Sequence, residues 1–217
     1  MLLAATAPMV HPMPSPESGP DQAPVQGHSV QGHSAQGQAP ALGEPAGPQR
    51  DAPPPHPDLA PLLFLLGRWE GAGVGGYPTI ESFQFGQEVV FSHNGKPFLI
   101  YRSRSWLLDE EGHRGRPLAT ETGFWRPRPD RQLEVLLAHP TGITEIYLGE
   151  VTGTKIVMST DVVARTSSSK EVTAGHRLYG MVGADLAWAY DMAAAGQPLQ
   201  PHLSAQLKRP GQVSRNQ

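Results

Sequence analysis

The 217-residue chain contains no cysteine. That absence excludes a disulfide scaffold, a zinc site built on thiolates and an iron–sulfur cluster, and it fits a reducing, cytoplasmic setting. Long hydrophobic runs are missing too. The most apolar stretch, LAPLLFLLG from Leu59, falls well short of the roughly 20 residues that a membrane-spanning helix needs. The opening MLLAATAPMVHPMPSP lacks a basic leader region, so neither a secretory signal nor a membrane partner is expected. Nor is positive charge in excess: the net charge is -3 and the pI near 6.3, the reverse of the basic footprint of a nucleic-acid binder.

Aromatic residues are absent from the first 56 positions; all 6 Phe, 5 Tyr and 4 Trp lie beyond His56. This leading segment is rich in Pro, Gly, Gln, Ala and Ser and carries an imperfect repeat, VQGHSVQGHSAQGQA, from Val25 to Ala39. Such a composition cannot bury enough apolar area to offset a backbone entropy of about 1–2 kcal/mol per ordered residue. Residues 1–56 therefore read as a disordered tail. His28 and His33 in the repeat are spaced too loosely to argue for a metal site.

The pattern then changes. PDLAPLLFLL, from Pro57, reads as a short helical lid with Asp58 as its N-cap. Ten runs of strand character follow, from RWEGAGV (Arg68–Val74) to PHLSAQLK (Pro201–Lys208), separated by turn signals such as HNGKP, DEEGHRGRP, HPTG and AAGQP. Short strands at nearly even spacing predict an all-β, up-and-down antiparallel sheet of about ten strands. Such a sheet closes, because an open one leaves unpaired edges. A closed barrel of this size can hold one small ligand.

The glycines of LGRWEGAGVGGYPTIESFQFG (Leu66–Gly86) could suggest a phosphate cradle. That site needs a strand, a glycine-rich turn and then a helix N-terminus. Here Gly71, Gly73, Gly75 and Gly76 lead to Tyr77-Pro78-Thr79 and another strand, with no GK[ST]. The glycines instead allow bending at a barrel corner and close approach of a neighbouring strand. Trp69, on the same strand, is expected to plug or line the barrel floor.

GRWEGAG (Gly67, Trp69, Gly71 and Gly73 in a Gly-x-Trp-x-Gly-x-Gly pattern), GGYPTI, FSHNGKPFLIY, ETGFWRP, ARTSSSKEVT and GQPLQPHLSAQL occur in this order. Together these segments resemble the nitrobindins over about residues 57–209, leaving 210–217 as a short C-terminal tail. The resemblance implies a ten-stranded barrel akin to fatty-acid-binding proteins and lipocalins. It implies one haem b per subunit, a ferric iron that isomerises peroxynitrite to nitrate, and binding of nitric oxide. It allows a homodimer, which the strand pattern itself does not decide.

By the same resemblance His202, in QPHLSAQ, matches the axial iron ligand. Thr79 matches a position near the haem edge, and Lys170 matches a lysine that meets a propionate. Strict alternation alone places His202 with Ser204 and Gln206 on the outer face, opposite Leu203, Ala205 and Leu207. Pro201 and a bulge at the barrel rim can break that alternation. Thr79 also reads as a turn residue after Pro78, and Lys170 as a solvated surface lysine. His93, His113 and His139 fall in turn contexts and are weaker candidates; His176 could face either way. Many nitrobindins have Met-His where this chain has Leu118-Ala119, which implies an apolar distal pocket without a titratable group. The competing reading is a non-catalytic barrel that carries haem or an apolar ligand such as a fatty acid, and His202 separates the two.

Overall fold

A computed structural model of the protein describes residues 53–211. The expected N-terminal tail falls outside these residues but for its last few positions. The ten expected strands form β1 (Gly67–Tyr77), β2 (Ile80–Ser92), β3 (Leu99–Leu108), β4 (Arg114–Pro127), β5 (Gln132–His139), β6 (Ile143–Thr152), β7 (Lys155–Arg165), β8 (Val172–Val182), β9 (Asp185–Ala194) and β10 (Gln200–Lys208). Each pairs antiparallel with its sequence neighbours, and β1 pairs with β10, so the sheet closes on itself. Closure leaves no edge to template aggregation.

Up-and-down connection sorts the loops onto two ends. The turn after β1, the β3–β4, β5–β6 and β7–β8 connections and the β9–β10 loop share one end. The other end holds the start of β1, the end of β10 and a 3-10 helix, Pro57–Leu65. This helix departs from the expected lid in two respects. His56, not Asp58, is the N-cap, its Nδ1 accepting from the Asp58 N–H at 3.3 Å. The helix also plugs the barrel rather than covering a mouth: Leu59, Leu62 and Leu65 are completely buried in the core. Pro61 inside the segment removes one N–H and disfavours regular α-helix, and three leucines at three-residue steps suit the tighter 3-10 turn.

The floor is finished by Trp69, as expected. Its indole N–H donates to the Leu65 carbonyl at 2.7 Å, and the Arg209 guanidinium lies 4.1 Å from its ring centroid. Arg209 also donates to the carbonyls of Leu66 (2.7 Å) and Phe64 (3.1 Å), satisfying acceptors that a helix end leaves open. Above this floor Phe91, Trp125, Tyr101, Tyr179 and Trp188 pack through edge-on, tilted and stacked contacts at 5.1–6.1 Å. The glycine-rich strand serves close approach. A side-chain carbon on Gly71 or Gly73 would collide with the β10 backbone at Gln206 or Ser204.

Candidate functional site

His202 lies near the opposite end of the barrel from Trp69. The β9–β10 register runs Pro201↔Asp191 and then Leu203↔Tyr190, so His202 is an extra residue inserted in β10. This bulge lets both His202 and Leu203 be partly buried while Ala205 and Leu207 keep the inward phase. The outer-face placement from strict alternation is thereby corrected, for a physical reason: one extra residue shifts the phase of everything beyond it.

The imidazole is held on several sides. Nδ1 lies 2.9 Å from the Gly76 carbonyl oxygen. A carbonyl only accepts, so Nδ1 carries the proton and Nε2 presents a lone pair. Nε2 has no hydrogen-bond partner among the described residues. Tyr77 meets the ring edge-on with centroids 5.4 Å apart, and Tyr190 is tilted against it at 5.9 Å. Burial lowers the His202 pKa; the Gly76 bond opposes this, and the Arg177 charge lowers it further. The ring therefore stays neutral at lower pH than a free imidazole, as a metal ligand must.

A buried charged layer lies inside the barrel, next to Tyr190. Arg177, 2% exposed, donates to both carboxylate oxygens of Glu121 at 2.8 and 3.1 Å and to the Tyr147 hydroxyl at 3.1 Å. Its guanidinium also covers the Tyr190 ring at 4.4 Å. Glu145, 1% exposed, contacts His139 Nε2 at 2.9 Å and accepts from the Tyr190 hydroxyl at 3.5 Å. Tyr101 donates to Glu121 at 2.9 Å. Burial alone would raise the Glu121 pKa, but Arg177 overrides it and holds the carboxyl at about 2. Each charge here is paired, which is the condition for keeping charges out of water.

His139 is thus not a loose turn histidine but a member of this network, at the end of β5. The remaining histidines are peripheral. His93 accepts from the Gly95 N–H within its turn, His113 is exposed beside Asp109, and His176 faces outward against Asp191 at 3.4 Å. Leu118 and Ala119 fall where the β3–β4 register shifts. Leu118 packs against the core, and the Ala119 N–H is taken by Ser105 Oγ at 3.2 Å.

Thr79 and Lys170 are at the His202 end by topology. Thr79 is exposed in the turn between β1 and β2, three residues from Gly76. Lys170 is exposed on the β7–β8 connection, and its neighbour Glu171 accepts from the Ala195 N–H in the β9–β10 loop at 3.1 Å. Neither hydrogen-bonds to His202. The Gly67–Gly73 motif sits partly at the far end, where Trp69 has a packing role.

The site suits a haem on the chemistry of its donors. A neutral histidine with Nδ1 tied to a carbonyl and Nε2 free is the usual form of a proximal ligand. Phe83, Leu118, Met192 and Leu203 are partly buried and pack against the barrel core.

Comparison with known proteins places the barrel in a family. The family model described as the THAP4-like, heme-binding β-barrel domain matches residues 58–209. A protein named peroxynitrite isomerase from Nocardioides sp. is 54% identical over 154 residues, covering 71% of this chain and 94% of that protein. Its namesake in Salinispora tropica is 52% identical, covering 75% and 85%. A ferric nitrobindin-like protein from Kineococcus radiotolerans is 51% identical, covering 70% and 92%. The crystal structure of Rv2717c from M. tuberculosis superimposes with a TM-score of 0.66 at 43% identity, covering 72% of this chain and 99% of that one. By this match over nearly the whole barrel and by these relatives, the chain belongs to the nitrobindin-type, THAP4-like haem-binding β-barrel family.

Proposed function

We propose that the protein binds haem b through His202 and isomerises peroxynitrite to nitrate. The observation that carries this reading is the imidazole itself, with Nδ1 spent on the Gly76 carbonyl and Nε2 without a partner among the described residues. The names of its relatives support the activity. When bound, ferric haem would supply a Lewis-acidic metal. The isomerisation conserves atoms and electrons: the O–O bond breaks, a new N–O bond forms, and no reductant is consumed.

The chain's own part is to bind, orient and exclude. His202 would hold the iron, while Tyr77 and Tyr190 fix the plane of the imidazole. Leu118 and Ala119 contribute no proton donor from their side chains, so these positions do not protonate a bound anion. Thr79 and Lys170 border the same end; Lys170 is assigned to a haem propionate, where an ammonium and a carboxylate attract. Nitric oxide binding, a cytoplasmic location and a homodimer belong to the same proposal. Among the described residues no helix is long and apolar enough to cross a membrane.

Stopped-flow decay of peroxynitrite, with nitrate counted as product, tests the activity. Haemin-loaded protein should accelerate decay in proportion to its concentration, with nitrate replacing other products. Haem bound at one equivalent with no acceleration would refute catalysis and leave a haem carrier.

A further inference from the structure

We propose that Tyr77 is the positioning residue for His202: its hydroxyl is a strut between β1 and β9 across the bulge that carries the histidine. The inference rests on the haem-site reading for its functional meaning, but its structural content stands without haem.

The irregularity of β10 creates the need. The β1–β10 ladder ends at Gly75↔Leu203. The next pair would join Gly76 to His202 and the one after would join Tyr77 to Pro201, which has no N–H to give. On its other side β10 changes register against β9 between Pro201 and Leu203. His202 therefore sits where β10 has lost regular pairing on both flanks. Left there, the residue would be free to turn, and a ring on a mobile bulge makes a poorly aimed ligand.

Two substitutes for the missing ladder come from consecutive residues of β1. The Gly76 carbonyl takes the His202 Nδ1–H at 2.9 Å. The Tyr77 hydroxyl reaches past β10 and accepts from the Ala194 N–H at 2.9 Å. It also lies 3.1 Å from the Met192 carbonyl and 3.2 Å from that of Ala194. A hydroxyl has one proton, so it serves one of these carbonyls at a time. β1 and β9 are not neighbours; each flanks β10. A bond across 117 positions of sequence thus fixes the width of the gap in which His202 sits. The same side chain meets the imidazole edge-on and is only 8% exposed. Displacing Tyr77 would move the Gly76 carbonyl, the edge contact and the β9 flank together.

The test uses apoprotein labelled with 15N in histidine and the backbone, comparing wild type with Tyr77→Phe. Phenylalanine keeps the ring and removes only the strut. In wild type, the His202 nitrogen shifts should report a single Nδ1–H tautomer with a slowly exchanging proton. In folded Tyr77→Phe that proton should exchange at least about 10-fold faster and the tautomers should mix, while haemin affinity falls by about 10-fold, the size typical of losing an outer-sphere partner. An unchanged tautomer and exchange rate in the folded variant would overturn the proposal. If the variant does not fold, wild type alone decides. The strut makes the Ala194 amide and the His202 Nδ1 proton open in one event, so their opening equilibria, each exchange rate divided by that proton's intrinsic rate, should agree; unrelated opening equilibria would overturn it. A failure of haem binding in every variant would refute the functional reading without touching this result.

Discussion

The two ends of this barrel solve opposite problems with the same strands. At the floor, each exposed backbone group of the 3-10 helix end that Trp69 and Arg209 can reach is bonded, and Leu59, Leu62 and Leu65 are sealed from solvent. At the other end β10 is bulged, His202 is half-buried, and its Nε2 has no hydrogen-bond partner among the described residues. The floor is finished by the chain itself; in the reading proposed above, the far end is finished by haem. Between them, the charged layer around Arg177 supports the site through Tyr190. The comparison teaches that stability and function are separable here along the barrel axis.

The sharpest way to break that separation is at the floor. Trp69→Ala should cost about 3–5 kcal/mol of unfolding free energy, read by urea denaturation. In native conditions it should still bind one equivalent of haemin. A variant that keeps its stability but loses haem would overturn the assignment of Trp69 to packing.

The charged layer should give the next largest effect. Arg177→Met leaves Glu121 buried without its cation, a loss of about 3 kcal/mol at neutral pH by the same measurement. The wild type carries a pH signature of this pair. Glu121 has its pKa lowered from 4.5 to about 2 in the fold, so its contribution is complete above 4.5 and drains away as pH falls toward 2. Arg177→Met should remove this acid-side loss, because the Glu121 carboxyl is no longer held ionised. Equal acid sensitivity in both proteins would contradict the role given to the pair.

Haem retention offers a milder, directional test. The folded His202 pKa lies below its ordinary 6.5, and protons compete with iron for Nε2. The Soret band of the loaded protein should therefore persist below pH 6.5 and decay only at lower pH, followed by acid titration. The smallest effect belongs to the rim. Lys170→Ala should weaken haemin binding by at most about 1 kcal/mol, as expected of an exposed ion pair, and high salt should produce a similar loss in the wild type.

Much of this arrangement was legible in the sequence, but unevenly. Strand number and order followed from turn residues and alternation, which are local signals. The role of Trp69 also followed, since the strand after its neighbouring glycines, where a phosphate loop needs a helix, left those glycines a packing role. His202 is the instructive case. Alternation within PHLSAQLK placed it on the wrong face, and only Pro201 hinted that the rule would fail there. The resemblance singled out the residue, but the inserted position that turns it became visible only in the β9–β10 register.

The charged layer was missed altogether. Arg177 and Glu121 are 56 positions apart, and no local spacing reveals such a pair. A signal did exist in the phase of the strands: Glu121 is in step with Trp125, Glu145 with Tyr147, and Arg177 with Tyr179, all buried aromatics. Charged residues in phase with core aromatics must be paired inside, and pairing three of them across the barrel would have drawn in His139. The helix cap was missed for a simpler reason. Asp58 has the preferred chemistry for a cap, but Pro57 begins the 3-10 turn one residue earlier, and His56 takes the position.

The central claim is that the unfinished end is completed by an iron on His202. Haemin titration of wild type and His202→Ala, followed by absorbance with folding checked by thermal melting, tests it most directly. The account predicts a saturable Soret band at one equivalent in wild type and, in an equally stable His202→Ala, loss or displacement of that band with affinity reduced by about 100-fold or more. An identical band and affinity in the two proteins would contradict it.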